Sequence, residues 1–494
     1  MFQQKLAAIA SKRASAGPLP PGSAPYTSST HFRVNNYDDR PKAKRWDQHF
    51  STEASQHRGS ALRAAAKGVP ESTITLGTAR PSSEFYPWQL MTMYAESPSA
   101  PIDPIVSMTC SKGEDAYDLA VAFNYSSATG SPQILRFITE HVEMMHSPQY
   151  SDWETIMTCG STSATDLAFR IFCDCDDWIL VEERTYPGTV CAARNQGLKM
   201  VGVKMDGQGL MPEDLERILD GWDAVKGRKP SLLYMIPTGH NPTGATQGLA
   251  RRNAIYAIAE KHNLYIVEDD PYMFLQLGEP GASESSQEPL DEYIAKLPPS
   301  YLSLDVSGRV LRMDSTSKIL APGLRLGWIT GSAQVIEKFV NTSELSVNAP
   351  NGPSQVMLYK LLEESWGHEG FMRWLQQLSA RYRRRRDMLV EACQRHLPHD
   401  LCSWIIPREG MFVWVRLAVP KQSIEVEETT SQSLLAIEDQ VYQQARTNGV
   451  LLSKGSWFTG DPTSTTNVAF RITFAAAPES DLQEAARRFG EAVR

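Results

Sequence analysis

Short apolar runs and amphipathic runs take turns along most of the chain. Apolar runs at 155–158, 178–181, 200–203, 232–236, 264–267, 310–313 and 326–330 read as strands. Apolar residues recur at helical spacing over 163–172, 212–219 and 248–262. Such alternation predicts βαβ units and a mostly parallel sheet with helices on its faces, an α/β fold. Ligands of such sheets bind beyond the carboxyl ends of the strands. The chemistry is therefore expected in residues just after each run.

The pattern changes beyond about residue 350. A long helix is expected over 372–396, with strands near 411–415 and 470–474, which describes a smaller α+β domain. The basic run 381–386 lies on that helix and reads as a solvated face. A helix is expected over 60–66, and the polar stretches 278–287 and 425–433 read as surface insertions. The division expected is a tail over 1–40, an N-terminal arm or lid with part of the small domain over 41–75, a large domain over 76–349 and a small domain over 350–494. No acidic residue occurs from Met1 to Tyr37, while Lys5, Lys12, Arg13 and Arg33 are basic. The tail therefore reads as disordered or as an organelle-targeting segment.

Composition narrows the function classes. At 494 residues the chain has room for two to four domains. Acidic residues outnumber basic ones 57 to 49, for a net charge of −8, so no nucleic-acid partner is expected. No apolar run reaches membrane-spanning length, so no membrane partner is expected. The seven cysteines are sparse and odd in number, which points to reduced thiols and an intracellular protein. The expected compartment is cytoplasmic, with mitochondria as the alternative.

The segment Ser315-Thr-Ser317-Lys318 through Arg325 carries the sharpest chemistry. Hydroxyls and an arginine fork suit a phosphate, and an amine beside them suits a Schiff base with an aldehyde. Pyridoxal 5′-phosphate offers both groups. Taken alone, Lys318 is also what a surface lysine looks like. Further segments follow the expected strands. Asn241 lies in the Pro237–Gly244 turn, and Asp269, Asp270 and Tyr272 follow the 264–267 run. A carboxylate beside a pyridine nitrogen keeps it protonated, and an amide and a phenol can bond the 3′ oxygen. Gly160-Ser161-Thr162 opens a helix, whose N-terminus attracts phosphate. Tyr186 follows another strand end and could stack on a flat ring.

These residues, with the 124–130 segment, Gly410-Met-Phe412 and Arg471-Ile-Thr-Phe474, resemble a fold-type I pyridoxal-phosphate aminotransferase of class I/II. The chain is most similar to the fungal aromatic and the kynurenine/α-aminoadipate aminotransferases. The resemblance runs from about residue 41 to the end. It implies that Lys318 bonds the cofactor aldehyde and then moves the substrate proton. It implies Asp269 at the ring nitrogen, with Asp270 the weaker claimant, and Asn241 and Tyr272 at the 3′ oxygen. Tyr186 would stack on the ring. Ser161, Thr162, Ser315, Ser317 and Arg325 would hold the phosphate, and Tyr125 would reach a neighbouring subunit's phosphate. A homodimer with shared sites follows from that last role. Arg471 would clamp the substrate carboxylate, with Asn241 beside it. Arg63 and Gly77 would face the substrate side chain.

The implied reaction is ping-pong transamination between an aromatic or α-aminoadipate-like L-amino acid and a 2-oxo acid, with 2-oxoglutarate as the expected acceptor. A β-lyase or decarboxylase on the same scaffold is the alternative, and a non-catalytic aminotransferase-like regulator a weaker one. The chain departs from the family in two places. Gly77-Thr78-Ala79-Arg80-Pro81 stands where the family usually has a Gly-Gly-Gly-Leu-Pro or Ala-Gly-Gly-Leu-Pro turn, and Ser453-Lys454-Gly455 lacks the proline before its glycine. An altered substrate pocket is expected there.

Overall fold

A computed structural model of the chain describes residues 1–17, 19, 27–61, 74, 76–77, 79–98, 105–281, 288–419, 430–461 and 466–494. The larger sheet has seven strands: β1 (Trp153–Thr158), β2 (Trp178–Glu182), β3 (Lys199–Val203), β4 (Leu232–Met235), β5 (Tyr265–Asp269), β6 (Val310–Ser315) and β7 (Gly327–Ser332). Their order is β1-β7-β6-β5-β4-β2-β3. All run parallel except β7, which is antiparallel to both neighbours. Each strand expected from the apolar runs is present. Helices flank the sheet, among them α2 (Pro132–His146), α3 (Ser161–Phe172), α4 (Pro187–Asn195) and α5 (Leu249–Lys261). Strands β4, β5 and β6 are buried at every position, as a sheet covered on both faces requires.

A second, antiparallel sheet has the order β8-β9-β11-β10, formed by β8 (Cys402–Ser403), β9 (Phe412–Leu417), β10 (Ser453–Lys454) and β11 (Val468–Thr473). It carries its own core. Helix α6 (Gly367–His396) serves both cores. Phe371, Met372 and Leu375 belong to the larger core, while Leu389, Val390 and Cys393 belong to the smaller. The larger core thus reaches past the expected boundary at residue 350. A long helix can bury different turns against different partners, so its apolar stripe does not stop where a domain does.

Two expectations at the N-terminus are corrected. Residues expected in a disordered or targeting tail form helix α1 (Phe2–Ser15), which buries Phe2 and Ile9. Lys5 donates to the Met144 carbonyl at the end of α2. Arg13 meets Glu140 at 2.5 Å and Glu363 at 2.8 Å. The basic excess is matched by acids from distant segments, which no local pattern reveals. Further on, Trp46 stands edge-on to Tyr265 with ring centroids 5.2 Å apart, and Phe50 packs on Phe172. Both belong to the larger core rather than to the small domain. Large aromatics bury wherever the most apolar surface is available.

The helix expected over 60–66 lies, from residue 62 onward, outside the described residues, and Arg63 lies there too. The same holds for 282–287 and 420–429 within the expected insertions, while Ser431–Thr447 is helical. Among the described residues, no helix is long and apolar enough to cross a membrane.

Candidate active site

The carboxyl ends of β1, β2, β4, β5 and β6 lie along one edge of the sheet, and antiparallel β7 starts there. That edge gathers the residues expected to act. Asp269 is the last residue of β5 and Ser315 the last of β6. The turn after β6 carries Ser317 and Lys318 and returns through Arg325, whose φ is +50°.

Lys318 is partly buried, and burial lowers its proton affinity. Arg471 and Arg325 lower it further, while Asp269 opposes them. These electrostatic couplings place the amine among both arginines and the acid. Asp269 is buried, and burial pushes its carboxyl up to about 7. Its Oδ2 accepts a 2.6 Å hydrogen bond from the Tyr234 hydroxyl. Its Oδ1 is buried with no hydrogen-bond partner among the described residues. Asp270, the weaker claimant, accepts through Oδ2 from Thr238 at 3.1 Å and from Arg312 at 3.3 Å, while its Oδ1 is likewise buried without a hydrogen-bond partner among the described residues.

Asn241 and Tyr272 are both buried, and Asn241 eases the ionisation of the Tyr272 phenol, which burial opposes more strongly. Asn241 Oδ1 also accepts from Arg471 Nη1 at 2.9 Å. Arg471 lies between the Phe412 and Phe458 rings, 4.9 and 5.0 Å from their centroids. Its Nη2 donates to Ser453 Oγ at 3.1 Å, and its Nε is buried without a hydrogen-bond acceptor among the described residues. A desolvated guanidinium with a donor to spare suits a carboxylate. Tyr186 precedes α4, its ring folded over Gly188, where a side-chain carbon would lie 2.3 Å from the ring. It couples electrostatically to Tyr272 and Arg471.

Opposite these, Gly160 caps α3 with φ +91°. A Cβ there would stand 2.8 Å from Arg325 Nη2. Ser161 Oγ is buried with no hydrogen-bond partner among the described residues. Ser317 N donates to Ser315 Oγ at 3.2 Å, and Thr162 is exposed one residue into the helix. A helix N-terminus, an arginine and an unspent hydroxyl make an anion cradle. Pyridoxal phosphate fits this arrangement. The arrangement offers what that group needs: an anion cradle, a carboxylate oxygen without a partner and a buried amide and phenol.

Tyr125 is 64% exposed in the single chain and reaches none of these groups. Gly77 is also exposed, with no atom of the described residues beyond its chain neighbours within 4 Å of where a side chain would begin, and Arg80 is exposed nearby. The cleft contains two residues without a role expected from the sequence, Tyr234 and Phe458, beside Phe412 and Ser453, which the sequence showed only as members of motifs. The one available signal was a tyrosine inside the otherwise apolar 232–236 run.

Comparison with known proteins gives the family. The family model "Aminotransferase class I and II" matches residues 111–489. The aminotransferase swnA of Metarhizium robertsii is 47% identical over 485 residues, spanning 94% of each chain. An aromatic amino acid aminotransferase of Schizosaccharomyces pombe is 35% identical over 466 residues, spanning 90% of this chain and 97% of its own. The crystal structure of the aminotransferase Aro8 from Candida albicans superposes with a TM-score of 0.84 at 37% identity, covering 92% of this chain and 99% of that one. The chain therefore belongs to the class I and II aminotransferases, which are pyridoxal-phosphate enzymes.

Proposed function

We propose that the enzyme transfers the amino group of an aromatic or α-aminoadipate-like L-amino acid to a 2-oxo acid, with 2-oxoglutarate as acceptor. The observation that carries this reading is the grouping of Lys318 and Asp269 at the edge of the large sheet with Arg471 of the small one, Asp269 Oδ1 and Arg471 Nε being without hydrogen-bond partners among the described residues. Relatives named as aromatic amino acid and L-tyrosine:2-oxoglutarate aminotransferases support the substrate class. Bound pyridoxal phosphate supplies an aldehyde for an amine and a ring that accepts the electron pair left when a Cα proton departs.

The chain's own residues do the rest. Arg471 takes the substrate carboxylate, exchanging one of its present acceptors, and the Phe412 and Phe458 rings restrict its swing. The same rings offer apolar surface to an aromatic side chain. Lys318 Nζ has a lowered proton affinity, so it is free to accept the α-proton and return it on the cofactor side. Asp269 Oδ1 holds a proton on the ring nitrogen, and Asn241 and Tyr272 orient the 3′ oxygen. Ser161, Thr162, Ser315, Ser317 and Arg325 anchor the phosphate. Tyr125 is exposed because it serves a second copy, so the working unit is a homodimer. We place the enzyme in the cytoplasm.

A donor screen tests the reading. Cofactor-loaded enzyme is mixed with single L-amino acids and no acceptor, and the 2-oxo acid is counted. One equivalent per site from tyrosine, phenylalanine or α-aminoadipate is expected, with further turnover only when 2-oxoglutarate is added. Release of carbon dioxide, or of ammonia with pyruvate, would show other chemistry. Lys318→Ala should slow the half-reaction at least about a hundredfold, the usual share of a positioned acid/base.

A further inference from the structure

Asp269 has two unlike oxygens. Oδ2 is held by the Tyr234 hydroxyl at 2.6 Å, and Oδ1 is buried without a hydrogen-bond partner among the described residues. Tyr234 lies on β4, whose register with β5 sets it opposite Val267. Its side chain is fully buried, and its ring meets Phe169 of α3 edge-on at 6.2 Å. With the ring fixed from behind, the hydroxyl has one place to go. We propose that Tyr234 is a positioning residue of the reaction: its hydroxyl pins Oδ2 of Asp269, aims Oδ1 at the cofactor nitrogen and keeps the carboxylate ionised. This rests on the assignment of Asp269 to that nitrogen and deepens it.

The surroundings of Asp269 make such a donor necessary. Asp270 follows it on the chain, and Asp314 faces it from β6; both disfavour its charge. Lys318, on the turn after β6, favours it. Tyr272 lies beyond, with its own ionisation suppressed by burial and by Asp269. Arg312 bonds Asp314 through Nε at 3.0 Å and Nη2 at 2.8 Å, and Asp270 through Nη1. That guanidinium is spent on the two flanking acids and on Glu268. Among the described residues, Tyr234 is the one side chain that donates a hydrogen bond directly to Asp269. Burial raises the carboxyl to about 7, and the Tyr234 bond opposes that rise. Removing the hydroxyl must therefore raise it further. A neutral carboxyl cannot pair with a protonated ring nitrogen, so cofactor binding should fail at a higher pH.

The test uses Tyr234→Phe, which keeps the ring. Apoenzyme is titrated with pyridoxal 5′-phosphate by tryptophan fluorescence from about pH 5.5 to 9, with a thermal melt to confirm folding. The pH midpoint below which affinity is lost should rise by about one unit, a tenfold change in proton affinity, while affinity at the alkaline end stays within about twofold. A purely structural role would lower affinity at every pH. Asp269→Asn should abolish the pH dependence, and adding Tyr234→Phe to it should change nothing more. Difluorotyrosine placed at 234 is a stronger donor of the same shape and should move the midpoint down. It also decides the matter if Tyr234→Phe does not fold. An unmoved midpoint in these variants, while Asp269→Asn flattens the profile, overturns the proposal alone. Wild-type affinity and profile in Asp269→Asn overturn the assignment beneath it.

Discussion

At the scale of single residues, the site is built from groups left with something to give. Asp269 Oδ1, Ser161 Oγ and Arg471 Nε are buried without hydrogen-bond partners among the described residues. Such groups cost free energy in the ligand-free fold and are retained where a ligand satisfies them. Gly160 shows the same economy of space. Its φ of +91° disfavours any side chain, and a methyl would stand 2.8 Å from Arg325. Gly160→Ala should weaken pyridoxal-phosphate binding about tenfold through roughly 1–3 kcal/mol of strain, with an unchanged circular-dichroism spectrum. Unaltered affinity in the same fluorescence titration would show that Arg325 needs no such approach. The contrast between Asp269 and Asp270 is also decided here. In the sequence they are adjacent acids, and each keeps one bonded and one unpartnered oxygen among the described residues; what separates them is that Arg312 bonds Asp270 while Lys318 couples to Asp269.

At the scale of elements, strands and helices were legible because their periods differ and their ends carry turn residues. The N-terminal helix was not. An acid-free start reads as a tail, yet Arg13 finds Glu140 and Glu363 across the fold. Burial alone would raise the Glu140 carboxyl, but Arg13 and His368 outweigh it and hold it below the usual range. A carboxyl lowered by folding adds stability above its unfolded value of about 4.3, and that stability is lost as pH falls through the lowered folded value. Arg13→Ala should cost about 1–3 kcal/mol at neutral pH. This is less than the full penalty for orphaning a buried acid, because Arg13 is itself 28% exposed and His368 still pairs with Glu140. The gap in melting temperature between variant and parent should narrow as pH falls through the lowered Glu140 value, where that carboxyl takes up a proton. A gap that stays constant with pH would show that α1 docks through Phe2 and Ile9 alone.

At the scale of the whole molecule, two cores share helix α6 and meet where Phe412, from the small sheet, covers Tyr272, from the large one, at 5.4 Å between centroids. The cleft is therefore set by how the two bodies pack. The proposed dimer adds a further level, since Tyr125 is exposed in one chain. Hybrids test it. Lys318→Ala and Tyr125→Phe subunits, each impaired alone, should regain activity when mixed and refolded, because one of the two sites in a hybrid then carries neither change. No recovery beyond the sum of the separate variants would confine Tyr125 to its own chain.

The order of apolar runs and of the polar residues after them was enough, by itself, to reveal the α/β class and the sheet edge at which the candidate residues Asp269, Ser315 and Lys318 collect. Strand period, turn chemistry and the needs of a phosphate and a pyridine ring are all local, and local patterns are written in neighbouring residues. What only the tertiary structure decided joins residues far apart in the chain. It set which acid Arg312 bonds, which hydroxyl holds Asp269, and where the basic N-terminus finds its partners. It also set how far the larger core reaches along α6. Those outcomes depend on side chains that burial brings together, and burial is a property of the folded whole.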